Sequence, residues 1–98
     1  MNEIKHKKWI NQDNDALFEA VLKLKNLEEM RKFFRDLLTE KEIVELGQRW
    51  KVVRMLAKRI RYTKITEETG MSSTTISRIN KWLKKGMGGY RIVLERLR

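Results

Sequence analysis

The chain has 98 residues, a length that suits one domain with a modest hydrophobic core. Its 23 Lys and Arg outnumber its 13 Asp and Glu, and the resulting net charge of +10 favours a polyanionic partner such as nucleic acid. The chain contains no Cys and only one His, so we expect neither a metal site nor a cofactor. No stretch is apolar enough for a membrane span or a signal peptide, so we expect no membrane partner and a cytoplasmic, nucleoid-associated location.

Residues 1–12 are predicted to form a mobile basic arm, and residues 13–98 a single helical domain. Asp13 and Asn14 are candidate caps for a first helix, and Asn26 with Glu29 indicates the start of a second. Apolar residues recur at helical spacing in both segments. They are Leu17, Val21, Leu22 and Leu24 in the first, and Leu27, Met30, Phe33, Phe34 and Leu37 in the second.

A regular apolar stripe marks the middle of the chain. Thr39 and Glu42 have the spacing of a capping box, so a third helix should begin there. The stripe that follows steps by three and four residues through Ile43, Leu46, Trp50, Val53, Ala57 and Ile60. We interpret this segment as the longest helix, packed at the centre of the fold, rather than as an isolated coiled coil. No alternating strand pattern occurs, so the predicted architecture is all-α, with about six helices.

The charge is divided unevenly along the chain. Residues 1–46 carry nine basic and ten acidic side chains, whereas residues 47–98 carry fourteen basic and three acidic ones. The second part therefore holds the whole positive surplus, and we interpret it as the surface that meets a polyanion and the first part as scaffold or interface.

Residues 62–84 have the pattern of a helix-turn-helix. Gly70 can adopt the left-handed conformation of the tight turn, and Ile65, Met71, Ile76 and Ile79 can bury the two helices against each other. Ser72 or Ser73 can cap the second helix, whose exposed start is rich in Ser and Thr and is followed by basic residues, as in helices that enter a major groove. Thr66 is predicted to lie where the two helices approach closely.

Four motifs follow one another along the chain: LTEKE, the GQR at Gly47–Arg49, ETGMSSTTISRIN, and GMGGYRIVLERL. Together they resemble the tryptophan-repressor superfamily, most closely its YerC/YecD branch. The likeness covers about Asp13 to Leu97. It implies a multi-helix, intertwined homodimer in which two helix-turn-helix units reach successive major grooves of a pseudo-palindromic DNA site.

The resemblance also implies roles for individual residues. The base-facing positions would be Ser73, Thr74 and Ser77. The positions that touch phosphates would be Tyr62, Thr63, Thr66, Arg78, Lys81 and Lys84. Because short hydroxyl side chains make weak base contacts, we expect phosphate neutralisation to dominate affinity and DNA shape to supply part of the specificity.

The tryptophan-binding members hold their corepressor between two arginines that match Arg49 and Arg78. Where those members have Gly and Ser, this chain has Ile79 and Trp82, which we predict to face and fill the pocket. Trp82 would then act as an internal wedge in place of the ligand, or else would pack in the core. The predicted vestigial effector pocket comprises Arg49, Thr75, Arg78, Ile79 and Trp82. Another small-molecule effector is compatible with the sequence, but free tryptophan is not expected.

The sequence thus predicts a DNA-binding transcription regulator, a repressor that works by occluding a promoter. Two alternatives use the same charge: a nonspecific nucleoid or RNA-binding protein, and a protein-interaction module built on a helix-turn-helix. An enzyme is not expected, because no nucleophile–base pair, metal cluster or cofactor loop is evident.

Overall fold

The computed structural model describes residues 8–98, which form six α-helices. They are α1 (Gln12–Leu22), α2 (Leu27–Leu37), α3 (Glu40–Ala57), α4 (Tyr62–Thr69), α5 (Ser73–Lys85) and α6 (Gly89–Arg96). Within residues 8–98 there is no strand, which confirms the all-α prediction. None of the helices in this range combines the length and the hydropathy that a membrane crossing requires.

The helices fall into two compact units. The first comprises the described residues up to Glu40 and contains α1 and α2, neither of which has a buried side chain. The second comprises Lys41–Arg98 and contains the hydrophobic core. The boundary lies inside the segment predicted as one domain, 13–98, and that organisation stays a prediction.

The start of α1 differs from its prediction. Asn11 caps the helix, because its Oδ1 accepts the Asn14 backbone N–H at 2.7 Å, so Asp13 and Asn14 are not the caps. The helix also begins at Gln12, within the segment predicted as a basic arm. Residues 1–7 of that arm lie outside the described residues.

The two later helix starts lie where they are predicted. At α2, Asn26 Oδ1 accepts the Glu29 N–H at 2.9 Å, and Glu29 Oε1 in turn accepts the Lys25 N–H at 2.8 Å. Helix α3 begins directly after Thr39 and, with 18 residues, is the longest of the described helices.

The stripe predicted along α3 is only partly correct. Val53 is fully buried, but Leu46 is 52% exposed, Ala57 is exposed, and Ile60 lies beyond the end of the helix. Burial is confined to the second half of α3, where Val52, Val53 and Met55 join the core with residues of α4 and α5. In the first half, Ile43 is half-buried, whereas Val44 and Leu46 are exposed at the surface of the single chain.

Candidate nucleic-acid interface

Helices α4 and α5 form the predicted helix-turn-helix. Gly70 ends α4 with a φ of 75°, and its N–H donates to the Thr66 carbonyl at 2.8 Å. A Cβ at Gly70 would meet no atom within 4 Å, so the turn requires glycine for its backbone conformation and not for space.

Side-chain hydroxyls hold the turn on both sides of Gly70. Thr69 Oγ1 donates to the Ile65 carbonyl at 2.7 Å and accepts the Met71 N–H at 3.2 Å. Ser72 is the cap of α5, since its Oγ accepts the Thr75 N–H at 3.2 Å. Of the two predicted caps, Ser72 is therefore correct, and Ser73 becomes the first residue of the helix.

The inner faces of α4 and α5 are packed as the apolar pattern predicts. Ile65 and Ile76 are fully buried, and Ile79 is 1% exposed, while Met71 is partly buried against the same core. A polar contact that the sequence pattern did not indicate also joins the two helices. Asn80 Nδ2 donates to Tyr62 Oη at 3.1 Å across 18 residues of chain, so local spacing carries no sign of it.

The opposite face of the motif carries an open groove of about 470 Å³, which we call the recognition groove. Its lining consists of Tyr62, Ser73, Thr74, Ser77, Arg78 and Lys81. These six include all three predicted base-facing residues and three of the six predicted phosphate contacts. The other three, Thr63, Thr66 and Lys84, are exposed but do not line the groove. Thr66, predicted to lie where the two helices approach closely, is exposed, and the buried side chain of α4 is Ile65.

The recognition groove carries positive charge. Arg78 and Lys81 form no ion pair with any described side chain. The two acidic residues of α4 are both paired with lysines: Lys64 Nζ lies 3.8 Å from Glu67 and 3.5 Å from Glu68, and Lys51 Nζ lies 3.7 Å from Glu68. The carboxylates of the motif therefore face other cations, and the groove cations are left for an external anion.

Four of the five residues of the predicted effector pocket, Thr75, Arg78, Ile79 and Trp82, follow one another along one side of α5, but neither the recognition groove nor the apolar concavity described below is lined by more than one of the five. Arg78 lines the recognition groove, Thr75 is half-buried beside its cap, and Arg49 is exposed. Ile79 faces the core and not a cavity, because the face of α5 that it shares with Ile76 packs on the core. Trp82 is 46% exposed in the single chain, and its role as an internal wedge or as a core residue stays a prediction.

Trp82 instead lines a second, apolar concavity of about 700 Å³, which we call the aromatic concavity. Its wall includes Trp50 and Tyr90, whose ring centroids lie 6.1 Å apart. The remaining lining residues are Gly86, Met87, Gly88, Gly89 and Val93. The sequence predicts a turn at the glycines, and Gly88 does adopt a left-handed φ of 90° at the start of α6. The sequence does not indicate the concavity that the turn helps to form.

Comparison with known proteins places this arrangement in a family. The sequence profile of the family described as Trp repressor protein matches residues 12–98. YerC of Bacillus subtilis (strain 168) is 46% identical over 84 residues, which cover 86% of this chain and 81% of YerC.

Two solved structures share the fold. A TrpR-like protein from Eubacterium eligens ATCC 27750 is 46% identical, with a TM-score of 0.86 and coverage of 92% of this chain and 93% of that one. A proposed Trp repressor from Staphylococcus aureus is 40% identical, with a TM-score of 0.84 and coverage of 92% and 90%. The chain therefore belongs to the Trp repressor family, with its helix-turn-helix at α4 and α5.

Proposed function

We propose that the protein is a transcription regulator that binds double-stranded DNA sequence-selectively as a homodimer and represses by occluding a promoter. The observation that carries this proposal is the recognition groove. Six side chains with hydroxyl or cationic groups share one concave surface of a helix-turn-helix, and the carboxylates of that motif are paired elsewhere.

The residues of the groove suit two kinds of DNA contact, to phosphates and to bases. Arg78 and Lys81 supply cations for phosphate oxygens, and these contacts hold the protein on the duplex. Ser73, Thr74 and Ser77 lie on the first two turns of α5, the part of a recognition helix that meets base edges. Their short hydroxyl groups reach bases weakly or through water, so DNA shape contributes to selectivity.

Dimerisation is supported by the apolar surface that the single chain leaves uncovered. Helices α1 and α2 have no buried side chain, and Phe18 is 48% and Leu22 81% exposed. In the second unit, Leu46, Ile92 and Leu97 are each at least half exposed. So much exposed apolar surface is unusual for a monomer and typical of a chain that associates. A two-fold dimer would present two recognition grooves to half-sites about one helical turn apart.

We further propose that DNA binding does not require free tryptophan. Ile79 and Trp82 stand where the tryptophan-binding members have Gly and Ser, and Ile79 is held in the core at 1% exposure. Arg78 lines the recognition groove and Trp82 lines the aromatic concavity, so these two residues of the expected pocket do not share one cleft. Calorimetric titration should show no tryptophan binding at micromolar concentration, and micromolar binding would contradict this part of the proposal.

The test of the function is selection from a random duplex pool with the purified protein, at near-physiological salt and without tryptophan. The expected result is an enriched pseudo-palindrome, and the matched control is Arg78→Ala with Lys81→Ala, which should retain little DNA. Retention of all sequences equally would favour a nonspecific binder, and failure to retain any duplex would favour a protein-interaction module. Both results would overturn the proposal.

A further inference from the structure

The turn between α3 and α4 is closed by a Schellman motif. The Arg59 N–H donates to the Leu56 carbonyl at 2.9 Å, and the Ile60 N–H donates to the Met55 carbonyl at 3.1 Å. This pattern places one residue, Arg59, in the left-handed region, with a φ of 62°.

Arginine is an unfavourable residue at this position. In the described chain every other residue with positive φ is glycine, namely Gly70 and Gly88. A Cβ strains a left-handed backbone, and both hydrogen bonds of the motif use backbone atoms alone. Glycine would therefore close the same turn more easily, and the fold itself gives no reason for a long cationic side chain there.

The Arg59 side chain is also free of partners. Arg59 and the neighbouring Arg61 are exposed, and neither side chain forms an ion pair or hydrogen bond with a described residue. A cation at the end of α3 is favourable because it compensates the helix dipole, but Lys58 already supplies one. The helix dipole therefore gives no separate reason for Arg59.

Chain connectivity keeps Arg59 close to the recognition groove. Arg61 directly precedes Tyr62, which lines the groove. Arg59 lies three residues before Tyr62, so their Cα atoms are at most about 11 Å apart at 3.8 Å per residue. A DNA strand presents a phosphate about every 3.4 Å along the helix axis, so a strand that passes Tyr62 also presents phosphates within reach of this turn.

We propose that Arg59, together with Arg61, is a phosphate clamp that extends the DNA-binding surface beyond the recognition groove. The guanidinium of Arg59 binds phosphate oxygens next to those near Tyr62, and this contact offsets the strain of its left-handed backbone. The inference rests on the proposed function, because it requires DNA on the helix-turn-helix. It adds a contact that neither the groove nor the sequence motifs indicate.

The test compares five variants, among them Arg78→Ala in the recognition groove, by anisotropy of a labelled duplex over a range of salt concentrations. Arg59→Gly and Arg59→Gln both remove the cation, Arg59→Lys keeps it, and Arg31→Gln removes an exposed, unpaired cation from α2 as the matched control. Log K falls as log salt rises, and each lost phosphate contact makes this slope shallower by about 0.9, so loss from both protomers of a dimer makes it shallower by about 1.8.

Arg59→Gly and Arg59→Gln should show the same reduction in the salt dependence of DNA binding, but they should differ in the free energy of unfolding. Arg59→Gly should raise the urea midpoint while binding DNA more weakly, and Arg59→Gln should weaken binding without the gain in stability. Arg59→Lys and Arg31→Gln should keep the wild-type slope.

An unchanged slope for Arg59→Gly and Arg59→Gln, alongside a shallower slope for Arg78→Ala, would overturn the clamp and leave the proposed function intact. If Arg78→Ala also leaves the slope unchanged, the proposed function fails as well.

Discussion

The packing of Ile79 gives the sharpest prediction about stability. The resemblance directs this side chain toward a ligand pocket, whereas the apolar spacing of the helix-turn-helix assigns it to the core, and the structure buries it to 1% exposure in the core with Ile65, Ile76 and Val53. Truncation to alanine in a close-packed core removes apolar contacts and leaves a cavity, at a cost of about 2–5 kcal/mol. Because the core of the second unit has only six buried residues among those described, little can collapse into the gap, and we expect about 3 kcal/mol for Ile79→Ala.

The measurement is urea unfolding followed by circular dichroism, with all variants at one protein concentration because a dimer links stability to concentration. Ile79→Val removes a single methylene and should cost about 1 kcal/mol. Lys81→Ala, on the exposed face of the same helix, should change the free energy of unfolding by less than about 0.5 kcal/mol. A cost below about 1 kcal/mol for Ile79→Ala would refute the assignment of this residue to the core.

Three further predictions concern the helix-turn-helix. Ser72→Ala should lower the free energy of unfolding by about 1 kcal/mol, because it removes the acceptor of the Thr75 N–H; an unchanged denaturation midpoint would contradict the cap. Gly70→Ala should cost about 1–2 kcal/mol through backbone strain alone, since no atom lies within 4 Å of the new methyl group, and a neutral result in the same assay would refute this origin. Arg78→Ala should weaken binding to all duplexes and lower the salt dependence, whereas Thr74→Ala should mainly change base preference in the pool selection. The reverse pattern would show that their roles are exchanged.

Local signals in the sequence predicted those parts of the fold that depend on neighbouring residues. The Asn26–Glu29 pair, the start of α3 after Thr39 and the Gly70 turn each involve atoms within about one helical turn, and all three are found as predicted. The cap of α1 was misplaced because Asn11, Asp13 and Asn14 are all good capping residues, and only backbone geometry selects among them.

The sequence could not predict features that depend on where distant segments meet. The spacing of three and four residues along α3 shows which side chains share a face of the helix. It does not show which part of that face is covered within one chain, and for this reason Leu46 was predicted to be packed but is exposed. Likewise, the hydrogen bond from Asn80 to Tyr62 and the concavity at Trp50, Trp82 and Tyr90 arise from tertiary packing. Two expectations for Ile79 differed: the apolar spacing of the helix-turn-helix assigned it to the core, where it is found, whereas the resemblance turned it toward a pocket. Alignment to a ligand-binding position identifies the place in the chain but not the side to which a larger residue turns.

DNA should bind on the recognition groove. The most direct test of this binding is amide chemical-shift mapping by NMR, with the ¹⁵N-labelled protein titrated with a selected duplex and, separately, with a scrambled one. We predict that the selected duplex perturbs Tyr62, Ser73, Thr74, Ser77 and their groove neighbours most strongly, and that the scrambled duplex perturbs the cationic residues more than the Ser and Thr residues. Largest changes at the aromatic concavity or at α1 and α2, with the groove residues unperturbed, would show that DNA does not bind on the recognition groove.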